Sequence, residues 1–333
     1  MKQYDIFNSY GVNITGDIHK IRGIECQDAF RSYICEDRVV LAVADGLGSV
    51  KHAKEGAGLA VQSAINMFTS SALTAEYITS NPSSMVEMLF NYLKEKMANF
   101  STSIGCQPQD LSSTLLIVVI TRDHTLTFQL GDGNIIKVTD RGAELLPFIS
   151  PKNAPSNSTY STANIFEESF SQYTVSVEKN DAPFYILCTD GAQITFEKNP
   201  ISACLDLKTI FQVYPQDISN ELLTDLATLI SNGDDTTIAI AGKLCKNFIQ
   251  LLPKEEQAKI FGVKNIASRK SKKTLRRRMK IYSICYRPQT VSNIKKKVHL
   301  PYKRIKYILY LLSSQGLITK LDSGLYIQSH FAT

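Results

Sequence analysis

Residues 38–48 read Arg-Val-Val-Leu-Ala-Val-Ala-Asp-Gly-Leu-Gly, and this stretch decides the fold of the first part of the chain. A short run of β-branched and apolar residues that stops at glycines is typical of a buried strand ending in a loop. Apolar residues at helical spacing follow over 53–68 and 84–100. The pattern then predicts strands at 113–121, 125–131, 134–138, 173–177, 183–189 and 236–241, a helix near 216–231, and a surface flap over 147–164. Antiparallel strands interrupted by two long helices predict an α+β fold arranged as a layered sandwich.

The composition is that of an ordinary globular protein, because 44% of the 333 residues are hydrophobic and 20% are charged. This balance excludes a disordered chain and a coiled coil, and the length predicts two domains. Seven cysteines without a Cys-x-x-Cys pair exclude a zinc ribbon and do not support a disulfide framework. No apolar run is longer than that of 115–120, which is far below the ~20 residues that span a bilayer, and residues 1–6 lack the core of a secretory signal. We therefore expect a cytoplasmic protein without a membrane partner.

Charge is distributed unevenly along the chain. Residues 264–333 hold 17 Lys and Arg and one acid, Asp322, a net charge of +16, whereas the remainder holds 20 bases and 30 acids, a net charge of −10. We predict a first domain over 1–250, a basic linker over 251–273 and a second domain over 274–333. An acidic body joined to a basic domain indicates a polyanionic partner, and nucleic acid is the candidate partner of 264–333.

The second domain has the pattern of a helix, a helix–turn–helix and a hairpin, which is the order of a winged helix-turn-helix. Thr290 is placed to cap one helix of the turn motif, and Gly316 is placed to end the other. Basic and tyrosine side chains on a helix can contact phosphates and base edges in a major groove. The candidate contacts of this kind are Lys303, Arg304, Lys306, Tyr307 and Tyr310. A winged helix that docks a protein and a merely solvated basic domain are the alternatives.

Acidic residues stand beside glycine at the ends of predicted strands, at Asp45-Gly46, Asp132-Gly133, Asp190-Gly191 and Gly233-Asp234-Asp235. A carboxylate at a strand end is held rigidly, and an adjacent glycine permits close approach of a ligand. Converging carboxylates without His or Cys suit Mg²⁺ or Mn²⁺ better than zinc. Two such cations can activate a bridging water for displacement at phosphorus. Because a single Asp-Gly is usually a turn, spacing alone leaves the turn and metal interpretations open.

The same motifs occur in an order that resembles one known family. Val43-Ala44-Asp45-Gly46-Leu47-Gly48, Leu130-Gly131-Asp132-Gly133, Leu187-Cys188-Thr189-Asp190-Gly191 and Gly233-Asp234-Asp235-Thr236-Thr237 follow one another, preceded by Gly16-Asp17-Ile18-His19 and Glu25-Cys26-Gln27-Asp28-Ala29-Phe30. Over about residues 5–245 the chain resembles the protein phosphatase 2C family of metal-dependent Ser/Thr phosphatases, in a bacterial-type subgroup. The resemblance implies a four-layer αββα sandwich, phosphoprotein substrates and an opposing Ser/Thr kinase.

The resemblance also implies a catalytic centre with two Mn²⁺ or Mg²⁺ ions. Asp45 would bridge both ions, and the Gly46 carbonyl would bind one of them. Asp190 and Asp234 would complete the shell of the first ion. The nucleophile would be a metal-bridging hydroxide, so no covalent phospho-enzyme is expected.

Three further acids are implied to lie at or near this centre. Asp132 resembles the ligand of a weaker third ion, and Asp28 resembles the acid of the first family motif, close to the metals. Asp235 stands where many members have Asn, and would orient Asp234 or a metal-bound water.

Two positions depart from the family pattern. Gln27 stands where many members have Glu, and Gly23 stands where many have an Arg that binds the substrate phosphate. Either Arg22 or His19 would take that phosphate-binding role through a shifted loop. The departures keep an alternative function open, a catalytically weak phosphatase-like sensor that acts through nucleic-acid binding.

Overall fold

The structure, a computed structural model, describes residues 7–35, 37–139, 142–152, 158–180, 183–192, 200–213, 218–243, 254–263, 266–285 and 287–328. The chain divides into two compact units, Met1–Lys208 with Ile218–Leu244, and Thr209–Asp217 with Cys245–Thr333. Among the described residues, every helix is too short or too polar to cross a membrane.

The first unit is built on two antiparallel sheets of five strands each. The strands are β1 (Phe7–Ile14), β2 (Ala29–Ile34), β3 (Arg38–Ala44), β4 (Leu115–Thr121), β5 (His124–Leu130), β6 (Asn134–Thr139), β7 (Gly142–Leu145), β8 (Thr174–Lys179), β9 (Phe184–Cys188) and β10 (Thr236–Lys243). One sheet has the order β1-β10-β9-β6-β7, and the other has the order β2-β3-β4-β5-β8. Strands that are distant in sequence therefore end side by side.

Strand β3 is apolar from Val39 to Ala44 because both of its faces are covered. Val40, Ala42 and Ala44 pack in the core between sheet and helices. Their neighbours Val39, Leu41 and Val43 alternate to the opposite face and pack in the core between the two sheets. Period-two alternation thus places one run of apolar residues in two separate cores.

Helices cover the outer faces of the two sheets. The first unit contains α1 (Asp17–Arg22), α2 (Ala53–Phe68), α3 (Ala75–Ser80), α4 (Pro82–Ile104) and α6 (Asn220–Ile230), and α5 (Pro200–Val213) spans the boundary between the units in sequence. Helix α2 packs on β2, β3 and α4, whereas α6 packs on β1 and β10. The layers are helix, sheet, sheet and helix, as predicted from the family resemblance.

The strands and long helices predicted from periodicity are present with shifts of a few residues at their ends. Helix α2 has the predicted bounds, and α4 extends the predicted 84–100 at both ends. The described residues of the predicted flap, 147–152 and 158–164, contain no α-helix or strand, although a 3₁₀ helix begins at Asn164. Ser161 and Thr162 are buried, so this end of the segment is not a surface flap, and 153–157 lie outside the described residues. Periodicity missed β1, β2 and β7, because these strands are short or only partly buried.

The second unit has its own apolar core. Its elements are α7 (Lys254–Ile260), α8 (Arg269–Ile284), α9 (Val291–Val298), α10 (Tyr302–Ser314), β11 (Ile318–Lys320) and β12 (Tyr326–Gln328). Ile281, Ile294 and Leu309, one from each of three helices, are fully buried together. Strands β11 and β12 pair as an antiparallel hairpin, and Gln289 forms an additional bridge to Tyr326.

The two residues predicted to cap and to end helices of the second unit, Thr290 and Gly316, do so in the structure. The Thr290 side chain accepts a hydrogen bond from the Asn293 N–H at the start of α9, at 3.1 Å. Gly316 follows α10 with a φ of 67°, a conformation that glycine adopts without strain.

Part of the segment predicted to be a linker, 251–273, contributes to this second core. Helix α7 lies within it, and Ala258 and Phe261 are buried with the residues of α8 and α10. The Arg278 guanidinium donates to the carbonyls of Phe261 and Gly262. These contacts tie 254–263 to α8, although the domain boundaries themselves remain a prediction.

Candidate active site

A cavity of about 520 Å³ in the first unit gathers the acidic residues that the sequence singled out. Asp45 follows β3, Asp132 follows β5, Asp190 follows β9, and Asp234 precedes β10. Each of these four side chains lines the cavity. Because β3 and β5 belong to one sheet and β9 and β10 to the other, the cavity lies where strand ends of both sheets meet.

The backbone at Asp45 and Gly46 is fixed from several sides. The Asp45 N–H donates to the Thr114 hydroxyl at 2.9 Å, and the Thr114 N–H donates to the Asp45 carbonyl at 2.8 Å. A Cβ added at Gly46 would lie 2.4 Å from the Ala53 carbonyl oxygen and 2.8 Å from that of Gln27. Only glycine fits here, so the peptide at the cavity wall stays free of a side chain.

The loops that carry Asp190 and Asp234 are packed against each other. The Asn232 side chain donates to the Asp190 carbonyl at 3.2 Å, and the Asn232 N–H donates to the Gly191 carbonyl at 2.9 Å. A Cβ at Gly191 would lie 2.1 Å from the Asp235 carbonyl oxygen, which explains the glycine after Asp190. Residues from separate strands are thereby held in one arrangement.

Asp28 is a buried carboxylate, and among the described residues only one of its two oxygens accepts hydrogen bonds. Its Oδ2 accepts hydrogen bonds from the hydroxyls of Thr189 at 2.7 Å and Thr237 at 2.8 Å. Its Oδ1 is buried without a hydrogen-bond partner among the described residues. Burial raises the pKa of Asp28 to about 6 despite the hydrogen bonds to its charged form. An unpaired carboxylate oxygen beside Asp45 is suited to a cation or to a cation's water.

The carboxyl groups of the cavity repel one another. Burial, with the nearby charges of Asp28 and Asp190, raises the pKa of Asp45 well above its usual range. Burial, with the charges of Asp132 and Asp234, raises the pKa of Asp190 to about 7. Crowded carboxylates are stabilised in their charged form by a bound cation, and an all-oxygen donor set matches Mg²⁺ or Mn²⁺. The residues present therefore fit the divalent ions that the family resemblance implies.

Asp235 anchors the segment before β2 to the loop of Asp234. Its Oδ1 accepts from the Gly16 N–H at 2.6 Å, and its Oδ2 accepts from the Gln27 N–H at 2.6 Å. The His19 Nδ1 lies 2.9 Å from the same Oδ2. The Asp235 N–H donates to Asp234 Oδ1 at 2.8 Å, so Asp235 orients Asp234 through its backbone.

The two candidates for the phosphate-binding role are placed differently. His19 lines the cavity, together with Gln27, and is held there by Asp235. Arg22 is the last residue of α1, is exposed, and is not among the residues that line the cavity. Of the two, only His19 is at the cavity wall.

Sequence reasoning missed the threonines that support the acids. Thr114, Thr189 and Thr237 are fully or almost fully buried, and each hydroxyl bonds to Asp28 or to the Asp45 backbone. The available signal was a polar residue within or next to an otherwise apolar strand, which needs a buried partner.

The candidate nucleic-acid residues of the second unit lie on one exposed face of α10. Lys303, Arg304, Lys306, Tyr307 and Tyr310 are all exposed, whereas Ile305, Ile308, Leu309 and Leu312 of the same helix are buried. Tyr307 is 59% exposed and Tyr310 is 70% exposed, which is unusual for side chains of this size.

Comparisons with known proteins agree on the first unit. The sequence profile described as protein phosphatase 2C matches residues 15–227. No curated protein sequence matches the chain significantly. Among solved structures, the chain is similar to the S. agalactiae serine/threonine phosphatase, with 16% identity, a TM-score of 0.53, and coverage of 71% of this chain and 99% of that one. The chain is also similar to PppA, described as a key regulatory component of T6SS in Pseudomonas aeruginosa. That match has 12% identity and a TM-score of 0.51, and it covers 72% of this chain and 99% of PppA. At these identities, the structural similarities establish the fold.

Proposed function

Because the chain belongs to the protein phosphatase 2C family, it is a protein serine/threonine phosphatase, and we propose that it hydrolyses phosphoserine and phosphothreonine in proteins with bound Mn²⁺ or Mg²⁺. The observation that carries the proposal is the convergence of Asp45, Asp132, Asp190 and Asp234 on one open cavity. A Ser/Thr kinase is the class of enzyme that makes such substrates, so the protein would oppose a kinase in signalling.

The proposed ligands divide between two principal ions and one accessory ion. Asp45, Asp190, Asp234 and the Gly46 carbonyl would hold the principal pair, and Asp132 would hold the third. When bound, divalent cations lower the pKa of water and neutralise charge on a phosphoryl group.

The protein's own part is to keep these groups in position. Thr114 fixes the backbone of Asp45, and Asp235 fixes the segment that carries His19. A histidine held at one ring nitrogen by a carboxylate presents its other nitrogen in a set direction. We assign His19, rather than Arg22, to contact the substrate phosphate, since only His19 lines the cavity.

One assay decides whether the protein is an active enzyme. Hydrolysis of p-nitrophenyl phosphate and of a phosphothreonine peptide should require added Mn²⁺ or Mg²⁺ and should stop in EDTA. Absence of turnover on both substrates in saturating metal would contradict the proposal and favour the phosphatase-like sensor.

For the second unit we propose a winged helix-turn-helix. The support is the element order, with three residues between α9 and α10, the hairpin of β11 and β12, and the bridge from Gln289 to Tyr326. Its proposed role is to target the phosphatase.

The partner that best matches its surface is nucleic acid. Exposed lysine and arginine side chains lie on α8, α9 and α10, and the Lys306 ammonium lies 4.8 Å from the centre of the Tyr302 ring. Lysines and tyrosines on one helix face supply phosphate contacts and hydrogen-bond donors, and the acidic remainder of the chain cannot supply this attraction.

Binding of the full chain to duplex DNA at several salt concentrations tests this role. Six phosphate contacts would give a slope of about −5 for log K against log salt. The double variant Lys303→Glu with Lys306→Glu should bind far more weakly, whereas Lys94→Glu with Lys96→Glu, the same charge change on α4, should have little effect. No salt-sensitive binding to DNA or RNA, together with retention of a protein partner, would favour the docking alternative.

A further inference from the structure

The loop that carries Asp132 is supported by one buried side chain, Gln129. The Gln129 Nε2 donates to the Gly133 carbonyl at 2.5 Å and to the Gly131 carbonyl at 3.4 Å. These carbonyls stand on either side of Asp132, so a single amide group spans the turn. We call Gly131, Asp132 and Gly133 the Asp132 loop. Gln129 is 2% exposed and lies on β5, two residues before the loop.

Gln129 reaches the Asp132 loop from the core between the two sheets. Phe128 and Leu130, its neighbours on β5, pack in the core between sheet and helices. Side chains alternate along a strand, so Gln129 points to the opposite face. Its partner across the sheet, Leu116, packs in the core between the two sheets. A polar side chain in such a core is costly unless it is hydrogen-bonded, and the Asp132 loop supplies the acceptors.

The two carbonyls of the Asp132 loop depend on this side chain. Gly131 and Gly133 are buried, and in the part of the chain that the structure describes no other group donates to their carbonyls. Buried carbonyls are almost always hydrogen-bonded, so the loop conformation relies on Gln129. The Gln129 Oε1, by contrast, is buried without a partner among the same residues. An apolar residue would fill this space without leaving that oxygen unpaired, so core packing alone does not account for a glutamine here.

The two glycines let the Asp132 loop pack closely on its surroundings. A Cβ at Gly131 would lie 2.5 Å from the Thr114 side chain, and a Cβ at Gly133 would lie 2.8 Å from the Cys188 carbonyl oxygen. Gly131 also has a φ of 100°, which glycine adopts without strain. Asp132 therefore carries the only side chain of the loop, and it lines the cavity. The position of its carboxylate is set by the backbone on either side of it.

We propose that Gln129 is a positioning residue, which holds the Asp132 carboxylate in place for the accessory divalent ion and so sets the affinity of that ion. This inference rests on the proposed role of Asp132 and extends it to a residue that does not line the cavity. Replacing a group that orients a metal ligand typically lowers metal affinity by about 10- to 100-fold. The backbone of Asp45 is fixed by Thr114 instead, so the principal pair of ions should not depend on Gln129.

The test is a calorimetric titration of Mn²⁺ into the full-length protein, together with the Mn²⁺ dependence of p-nitrophenyl phosphate hydrolysis. Gln129→Met fills a similar space but cannot donate a hydrogen bond. It should weaken accessory binding by about tenfold or more, while the tight ions bind as in the wild type. Its turnover should require correspondingly more Mn²⁺ and approach the wild-type value at saturation. Gln129→Asn, whose amide is one methylene too short to span both carbonyls, should act in the same way and carries the test if Gln129→Met does not fold.

Thr127→Val is the matched control. Thr127 is 6% exposed, faces the same core from the same strand, and its Oγ1 lies 2.8 Å from the Ser176 Oγ. The variant removes a buried hydrogen bond away from the Asp132 loop, so every Mn²⁺ affinity should stay as in the wild type. In the double variant Gln129→Met with Asp132→Asn, accessory binding should be no weaker than in Asp132→Asn alone, because both residues act on one ion.

The outcomes separate this inference from the proposed function. Unchanged accessory binding in the Gln129 variants, an equal loss of tight and accessory ions, or an equal loss in Thr127→Val would overturn the inference while the phosphatase function stands. A wild type that binds no ion beyond the principal pair would overturn it as well. Without hydrolysis of p-nitrophenyl phosphate in saturating metal the proposed function fails instead, and the titration still decides the role of Gln129.

Discussion

Adding one methyl group at Gly46 perturbs the proposed metal centre without changing any charge. In Gly46→Ala the new Cβ would lie 2.4 Å from the Ala53 carbonyl oxygen, where ordinary contact begins at 3.4 Å. The backbone must therefore move by about 1 Å, since the Ala53 and Gln27 carbonyls that confine Gly46 are themselves backbone groups. A displacement of this size at a catalytic group costs about 10²-fold in turnover. We expect a loss of that order in metal-dependent hydrolysis of p-nitrophenyl phosphate.

Gly48→Ala is the matched control for Gly46→Ala. Gly48 also lines the cavity, but its added Cβ would meet only the Gln27 side chain, at 3.8 Å. We therefore expect Gly48→Ala to keep its turnover of p-nitrophenyl phosphate within a few-fold of the wild type. Equal activity in the two variants, with both folded by circular dichroism, would refute the argument that the Gly46 backbone must stay where it is.

Three further predictions concern the acids around the cavity. Asp190→Asn should abolish both turnover and tight Mn²⁺ binding, whereas Asp132→Asn should lower turnover with less effect on tight binding; equal loss of binding in a calorimetric titration would contradict the separate roles. In EDTA, the pKa of Asp190, raised from 3.8 to about 7, makes the folded state bind a proton more tightly than the unfolded state, so the unfolding temperature should fall as pH rises toward 7 and level off above it. Saturating Mn²⁺ should remove that dependence, and a flat profile in EDTA would contradict the crowding of charges. Thr237→Val removes a hydrogen bond to the buried Asp28 and should cost about 1–3 kcal/mol of unfolding free energy in urea denaturation; an unchanged midpoint would show that Asp28 does not depend on Thr237.

Periodicity was sufficient for the elements with a strong apolar pattern and insufficient for the others. Strand β3 and helix α2 are apolar or glycine at every buried position except Arg38 and Ser63, so their bounds were predicted closely. Strand β1 reads Phe-Asn-Ser-Tyr-Gly-Val-Asn-Ile and is recognisable only through its pairing with β10, more than 200 residues away. Pairing between distant strands has no local signal.

The candidate site shows the same division. The Asp-Gly motifs identified the acids at the cavity, because each one ends or begins a strand. The contacts that hold these acids could not be inferred, because Asp235 bonds to Gly16 and Gln27, more than 200 residues earlier in the sequence. Thr114, which bonds to Asp45, also lies 69 residues from it in sequence. The choice between Arg22 and His19 also needed the structure, because both lie in the same six-residue helix.

The most direct measurement of the central claim is a calorimetric titration of Mn²⁺ into the wild type and into Asp45→Asn, combined with turnover of a phosphothreonine peptide. Asparagine keeps the shape of the side chain but removes the charge that is proposed to bridge two ions. The account predicts at least two tightly bound Mn²⁺ in the wild type, with tight binding and turnover lost together in a folded variant. Wild-type stoichiometry or wild-type turnover in Asp45→Asn would contradict it.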